Sequence, residues 1–283
     1  MSYDKITVVI NTFNSEDKIR QCLNSIDSRV RIIIIENSNN FSFKDEIEKE
    51  YSNVNCFLSG RNLGYAKGNN LGLSKVKSDY ALILNPDAFL EKDTLDRLLS
   101  TAFKFKDFSI IGPAKQDEFS NSDINDDKAD VFNVKTLKGF AMFFNLKQFE
   151  DIGFFDENFF IYLEEIDLCK RLLKKNKKIY LDKKVLINHL GGSSHNEKIN
   201  FEMELSRNWH WMWSTFYYNK KHFGFMNSLM KVRRKFLSSF IKMIFFTIIF
   251  KSKKRKIYFQ RFSGLFNSII GKKSWYRPNI IIN

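Results

Sequence analysis

Cysteine is scarce in this chain: Cys22, Cys56 and Cys169 are the only three in 283 residues, and no two form a Cys-x-x-Cys pair. An odd, scattered set excludes a disulfide framework and a structural zinc site, and it suits a reducing compartment. Acidic residues stop altogether at Glu204, while residues 205–283 hold 17 Lys and Arg. The formal net charge of +14 is therefore local, because residues 1–204 carry 29 basic against 32 acidic side chains, a balance of −3. An anionic surface met by the C-terminal region, rather than by the whole protein, is the partner this implies. Long hydrophobic runs are missing too. The apolar stretch Phe236–Phe250 is interrupted by Lys242 and falls short of the roughly 20 residues that span a bilayer. It suits a helix lying among lipid headgroups. The opening residues lack a basic n-region, an apolar core and a small-residue cleavage site, so no signal peptide is expected and a cytoplasmic protein peripheral to the inner membrane face is.

Phosphate-binding signatures are absent as well. There is no Gly-x-x-x-x-Gly-Lys-Ser/Thr and no Gly-x-Gly-x-x-Gly. Asn11–Asn14, directly after the first apolar run, contains no glycine, which argues against a nucleotidylyltransferase triphosphate loop. His189 and His195 lack the HExxH-type spacing of zinc hydrolases.

What is present is an alternation of short apolar runs and amphipathic stretches. Ile6–Ile10 reads as a buried strand, and Asn14 is expected to cap a helix carrying Ile19, Cys22, Leu23 and Ile26 at helical spacing. Strands follow at Arg31–Ile35, Val54–Leu58 and Tyr80–Leu84, with a charged helix around Ser42–Glu50 between the first two. Thr94–Phe105 reads as a helix, residues 116–130 as a polar surface loop, and Gly139–Phe144 as a strand returning to the core. Uniformly apolar strands alternating with helices predict an α/β fold, a mostly parallel sheet covered by helices on both faces. Ligands then gather at the carboxyl ends of the strands, in the loops Asn11–Asn14, Glu36–Asn40, Gly60–Asn70 and Asn85–Asp87. Residues 1–204 are expected to form this domain, and residues 205–283 a basic, aromatic, helical region.

Three clusters stand out. Glu164, Glu165 and Asp167 crowd behind the aromatic run Phe159–Tyr162; close carboxylates suit base or cation chemistry, and equally an acidic first helical turn. Asn85-Pro86-Asp87 ends a strand, either as an ordinary turn or as a carboxylate presented to a cation and a diphosphate. His189 is expected in a loop loosened by Gly191 and Gly192, as a metal ligand or a packed side chain. Gly64, Gly68 and Gly72 recur every fourth residue on one helix face, where a backbone can approach closely.

Taken in order, Asn11–Asn14, Ile35–Ser38, Asn62–Tyr65, Leu84–Asp87, Gly139–Met142, Glu164–Cys169 and His189–Ser193 resemble the inverting family 2 glycosyltransferases of the GT-A fold, in particular their rhamnosyltransferase-like branch. The resemblance covers roughly residues 5–215. It implies that Thr12, Phe13, Glu36, Asn62, Gly64 and Lys67 bind the nucleotide, Glu36 reading the uracil or thymine imide edge. It also implies that Gly139 leaves room for the sugar, that Asp87 and His189 hold Mg²⁺ or Mn²⁺ at the diphosphate, and that Glu165 is the base, with Glu164 and Asp167 beside it. The usual Asp is replaced by Glu at Glu36 and Glu165, and Asn85 takes the first place of the DxD-type element. The implied partners are a dTDP- or UDP-sugar donor, a lipid-linked glycan acceptor of surface polysaccharide synthesis and an anionic membrane surface. No nucleic-acid module accompanies the basic segment, so nucleic acid is not an expected partner. A catalytically idle member of the fold that tethers such a pathway to the membrane is the alternative. For the C-terminal region, Trp209 and Trp213 serve either as core residues of packed helices or as part of a membrane-facing surface.

Overall fold

The computed structural model describes residues 2–113, 129–189, 191 and 199–278. Most of the polar stretch 116–130 lies outside them, as do Leu190 and Gly192–Ser194. The described elements are β1 (Ile6–Thr12), α1 (Glu16–Asn24), β2 (Arg31–Glu36), α2 (Phe41–Glu50), β3 (Val54–Leu58), α3 (Gly64–Leu73), β4 (Tyr80–Leu84), β5 (Ala88–Leu90), α4 (Thr94–Lys104), β6 (Phe108–Pro113), β7 (Val131–Asn133), β8 (Ala141–Asn145), α5 (Glu164–Lys174), β9 (Lys178–Asp182), β10 (Ile187–His189), α6 (Asn200–Phe223), α7 (Phe225–Ile248) and α8 (Ser252–Ile269). They divide into two compact units. One runs to Phe155 and resumes at Glu165; the other combines Asp156–Glu164 with α6, α7 and α8.

In the first unit eight strands form one sheet, ordered β3-β2-β1-β4-β8-β6-β9-β7. The four strands β3, β2, β1 and β4 are parallel, and so is the pair β6 and β9. β8 is antiparallel to both its neighbours, β4 and β6, and β7 is antiparallel to β9. The central strands are apolar on both faces because both are covered: Val8, Val9, Ile10, Ile32, Ile34, Leu82 and Ile83 are all buried. The glycine ladder of α3 explains its close seat on β1. A Cβ on Gly72 would lie 2.4 Å from Val9 Cγ1, and one on Gly68 2.5 Å from Asn11 Nδ2.

Two local expectations need correction. Asn14 is not the cap of α1; it sits in left-handed backbone with φ 49°, and Ser15 occupies the cap position with its hydroxyl bonded back to Phe13. The chain turns one residue later than a simple capping pattern suggests. His189 is not in a loop either. It ends β10, which pairs antiparallel with β5 and sets His189 opposite Ala88.

In the second unit α6, α7 and α8 pack around Met212, Phe216, Val232 and Leu265. α8 approaches α6 so closely that a Cβ on Gly264 would meet the Trp209 carbonyl oxygen at 2.2 Å. Trp209 and Trp213 are buried; their indole N–H groups donate to Ser263 Oγ at 3.2 Å and to the Lys272 carbonyl at 2.9 Å. Among the described residues no helix is long and apolar enough to cross a membrane.

Candidate active site

The strand ends β1, β2 and β4 deliver their loops side by side. Thr12 and Glu36, which end β1 and β2, are register partners, and both are buried. Glu36 Oε1 accepts the Ser38 amide at 2.8 Å and the Ser38 hydroxyl, and Oε2 accepts the Asn40 amide at 2.8 Å. The carboxylate therefore shapes its own loop with three of its roughly four acceptor positions. Phe13, partly exposed, follows Thr12. Asn62 Oδ1 accepts the Gly64 amide at 3.0 Å, and Gly64 opens α3 at φ 75°, a conformation glycine adopts without penalty. Lys67 lies in the first turns of α3, partly exposed.

Asn11 and Asn37 tie these loops together, although sequence reading gives them no role. Asn11 Nδ2 donates to the Gly64 and Tyr65 carbonyls at 2.9 and 3.3 Å. Its Oδ1 accepts from Asn37 Nδ2, and Asn37 Oδ1 accepts the Leu63 amide at 3.3 Å. A polar residue at position 11, inside an otherwise apolar strand, is the signal that marks such a residue.

Asp87 follows the tight turn closed by the Ala88 amide on the Asn85 carbonyl at 3.0 Å. It is only 3% exposed, and His189 Nε2 approaches its Oδ1 to 3.3 Å. That approach lacks hydrogen-bond geometry, so among the described residues Asp87 Oδ1 is a buried acceptor without a donor. A buried carboxylate oxygen left unmet is costly unless something else meets it. Asp87 and His189, an oxygen and a nitrogen donor turned toward one point, fit a divalent cation of the Mg²⁺ or Mn²⁺ kind. No cluster of three or more His, Cys, Asp or Glu side chains forms a ready metal site among the described residues.

His189 stacks on Phe140, with ring centroids 4.6 Å apart, and the Phe140 carbonyl accepts the Asn85 amide at 2.8 Å. Next to Phe140, Gly139 touches the third element of the site. A Cβ there would meet Tyr65 Oη at 3.2 Å and Glu165 Cβ at 3.7 Å, and the Tyr65 hydroxyl donates to the Gly139 carbonyl. Gly139-Phe140 thus joins Glu165 on one side to Asp87 and His189 on the other.

The three carboxylates of α5 separate by environment. Asp167 is fully buried and accepts from Arg171 Nε at 2.8 Å; Arg171 also donates to the carbonyls of Ile152, Gly153 and Phe154. Asp167 thus braces the loop before the helix. Glu164 is buried, whereas Glu165 alone is partly accessible. Residues i and i+2 of a helix face apart, so Glu165 and Asp167 serve different surfaces. In the second unit, Tyr162 and Leu163 lead into α5 with φ 75° and 68°. Burial pushes the Tyr162 phenol up to about 12, which leaves it neutral. All three cysteines are buried and free. Burial raises each thiol, Cys56 and Cys169 to about 12, so none is a nucleophile.

The family model for glycosyl transferase family 2 matches residues 7–168, more than half of the chain. The chain belongs to that family. It is 26% identical over 196 residues to the low-salt glycan biosynthesis hexosyltransferase Agl10 of Haloferax volcanii, covering 61% of this chain and 63% of that protein. The chain thus spans less than two thirds of that relative. It is 21% identical over 239 residues to the N-acetylglucosaminyl-diphospho-decaprenol L-rhamnosyltransferase of Mycobacterium tuberculosis, covering 68% of this chain and 78% of that one. Among solved structures, the mannosyltransferase PcManGT of Pyrobaculum calidifontis, in complex with GDP-Man and Mn²⁺, superposes with a TM-score of 0.61 at 11% identity over 95% of this chain and 88% of its own. The fold is GT-A, with the expected mostly parallel sheet.

Proposed function

We propose that this protein transfers a hexose, rhamnose or a relative of it, from a dTDP- or UDP-linked donor to a lipid-linked glycan acceptor, with inversion, at the inner face of a membrane. The observation that carries the reading is the bridge by which Gly139 and Phe140 link Glu165 to the Asp87–His189 pair. The nucleotide lies across the loops ending β1 and β2, over Thr12 and Phe13, with Asn62, Gly64 and Lys67 along its diphosphate side. Glu36 has one acceptor position left for the imide edge of the base. Asp87 and His189 would hold the divalent cation, whose chemistry is neutralisation of the leaving diphosphate. Glu165 takes the proton of the acceptor hydroxyl as that oxygen attacks the anomeric carbon. The new glycosidic C–O bond forms while the bond to the diphosphate breaks, and a single displacement inverts the centre. No covalent nucleophile is required.

The lipid-linked acceptor and the membrane placement draw support from the decaprenol-linked substrate named for the mycobacterial relative. They also draw on the basic C-terminal region, domain 205–283 of the proposed organisation, which carries no acid.

Thermal shift tests the reading. A donor at 100 times its dissociation constant stabilises by about 2.7 kcal/mol. The expected result is a stabilisation by one dTDP- or UDP-sugar that depends on Mn²⁺ or Mg²⁺ and disappears in Asp87→Ala. Because Asp87→Ala removes an acceptor that has no donor, the ligand-free melting temperature is expected to hold or rise. No donor stabilising the protein with either metal, or undiminished metal dependence in Asp87→Ala, would overturn the assignment. Metal-dependent donor turnover that is lost in that variant excludes an idle tethering protein.

A further inference from the structure

In the second unit a cleft of about 490 Å³ opens among α6, α7 and α8. Leu205, Met243 and Phe259 give it apolar walls, Thr247 and Gln260 add polar ones, and Arg255 and Lys256 stand on its edge. Neither cation has a carboxylate partner among the described residues. Their position runs against local helix physics. Lys251 occupies the N-cap of α8, Lys253, Lys254 and Arg255 follow in its first turn with no acidic residue among them, and Lys256 comes next. Cations there oppose the helix dipole and one another. An anion seated at this end would be attracted by each of those cations and by the dipole, offsetting the repulsion.

A second observation says what the anion is attached to. On α7, Leu237, Ile241, Ile244, Phe245 and Ile248 are exposed at the spacing i, i+4, i+7, i+8 and i+11, which is one unbroken helix stripe. Phe250, in the turn to α8, is 91% exposed. A contiguous apolar stripe next to a cationic end is amphiphilic. A second copy of this chain is a poor occupant, because it would bring the same run of cations, Lys251 and Lys253–Lys256, to the contact.

We propose that this cleft binds the phosphate headgroup of a single anionic lipid, with Arg255 and Lys256 on the phosphate and the alkyl chain against Leu205, Met243 and Phe259. The site is separate from the transfer centre and rests only on the reading that this region meets lipid.

The probe is decyl phosphate below its micellar concentration, titrated calorimetrically against the full chain beside 1-decanol and inorganic phosphate. The expected result is saturation at one site per chain, at least tenfold tighter than either fragment. Arg255→Gln with Lys256→Gln weakens it at least tenfold, and Met243→Trp, which fills the cleft without altering charge, does the same. Arg233→Gln with Arg234→Gln removes equal charge from α7 outside the cleft and is expected to change affinity less than threefold. Inorganic phosphate within threefold of decyl phosphate reduces the site to a bare anion contact and overturns the proposal. So does equally tight decanol, or an equal loss in the Arg233/Arg234 control. Sedimentation of all variants with vesicles of one-third phosphatidylglycerol separates the two levels: binding that survives with the cleft blocked retains the membrane reading and removes the cleft from it.

Discussion

Glu165→Gln is the substitution that most directly tests the chemistry. Gln adds no atom, and the Glu165 Cβ keeps its place against Gly139, so the fold is expected to change by at most ~1 kcal/mol, the scale of one charge in a first helical turn. Loss of a general base removes ~10²–10⁴ in rate, and at about 1.4 kcal/mol per decade that raises the barrier by ~3–5 kcal/mol. Asp167→Asn should do the opposite. Asp167 is fully buried with Arg171 Nε at 2.8 Å, and the same guanidinium holds the carbonyls of Ile152, Gly153 and Phe154. Removing one partner of a buried pair costs ~3–5 kcal/mol, or roughly 6–20 °C in melting temperature at ~2–4 °C per kcal/mol. The assay pairs nucleoside diphosphate release from saturating donor with a melting curve and a donor titration for each variant. Glu165→Gln should lose turnover while keeping melting temperature and donor affinity; Asp167→Asn should lose stability first. The assignment of the base fails if Glu165→Gln keeps more than a tenth of its turnover, or if Glu164→Gln is the stable, donor-binding, inactive protein.

Two further outcomes follow from packing and burial. Gly72→Ala places a methyl 2.4 Å from Val9 Cγ1, an overpacking expected to cost ~1–3 kcal/mol and to lower the melting temperature by several degrees with donor affinity intact; an unchanged melting curve contradicts the close seat of α3 on β1. His210 is buried with its Nε2 on the Tyr276 carbonyl at 2.9 Å and its Nδ1 on Ser274 Oγ at 3.0 Å, and burial, then Arg277, pushes its pKa down to about 3. The unfolded imidazole, near 6.5, takes up a proton that the folded one refuses, so the stabilisation is complete above pH 6.5. It falls by roughly 1.4 kcal/mol per unit as pH drops toward the folded value. Helical melting followed by circular dichroism at pH 7.5 and pH 5 checks this, and identical stability at both contradicts it.

The parallel half of the sheet was legible because β1, β2, β3 and β4 are predominantly apolar runs separated by turn-forming segments, and such runs suit a sheet covered on both faces. The antiparallel insertion of β8 between β4 and β6 was not, since pairing direction leaves no trace in the composition of a buried strand. Asp87 and His189 were legible as candidates by their neighbours. Their meeting depends on β5 and β10, strands of three residues each, too short to carry a period that sequence can reveal. The roles within the acidic cluster were equally hidden. Only the link from Asp167 through Arg171 to the carbonyls of Ile152, Gly153 and Phe154, and the accessibility of Glu165, set the two carboxylates apart, and neither shows in the sequence of the helix.

The segment before α5 shows what the C-terminal helices hold in place. Tyr162 and Leu163 both adopt left-handed backbone, a conformation costing roughly 1–3 kcal/mol for each such residue, which persists only where surroundings impose it. The second unit supplies those surroundings. Ser214 on α6 donates to the Ile161 carbonyl at 3.0 Å, and Tyr162 meets Trp211 edge to face. Phe160 contacts both His210, at 4.4 Å, and Arg277, at 3.8 Å. Further back, Tyr217 and Lys221 hold Asp156 at 2.9 and 2.7 Å. The segment so clamped runs without a break to Glu164, the last residue of its stretch in the second unit. Aromatic residues that look in sequence like a membrane-facing belt, Trp209 and Trp213 on α6, are core residues of the second unit, and their neighbours His210 and Trp211 pack on Phe160 and Tyr162.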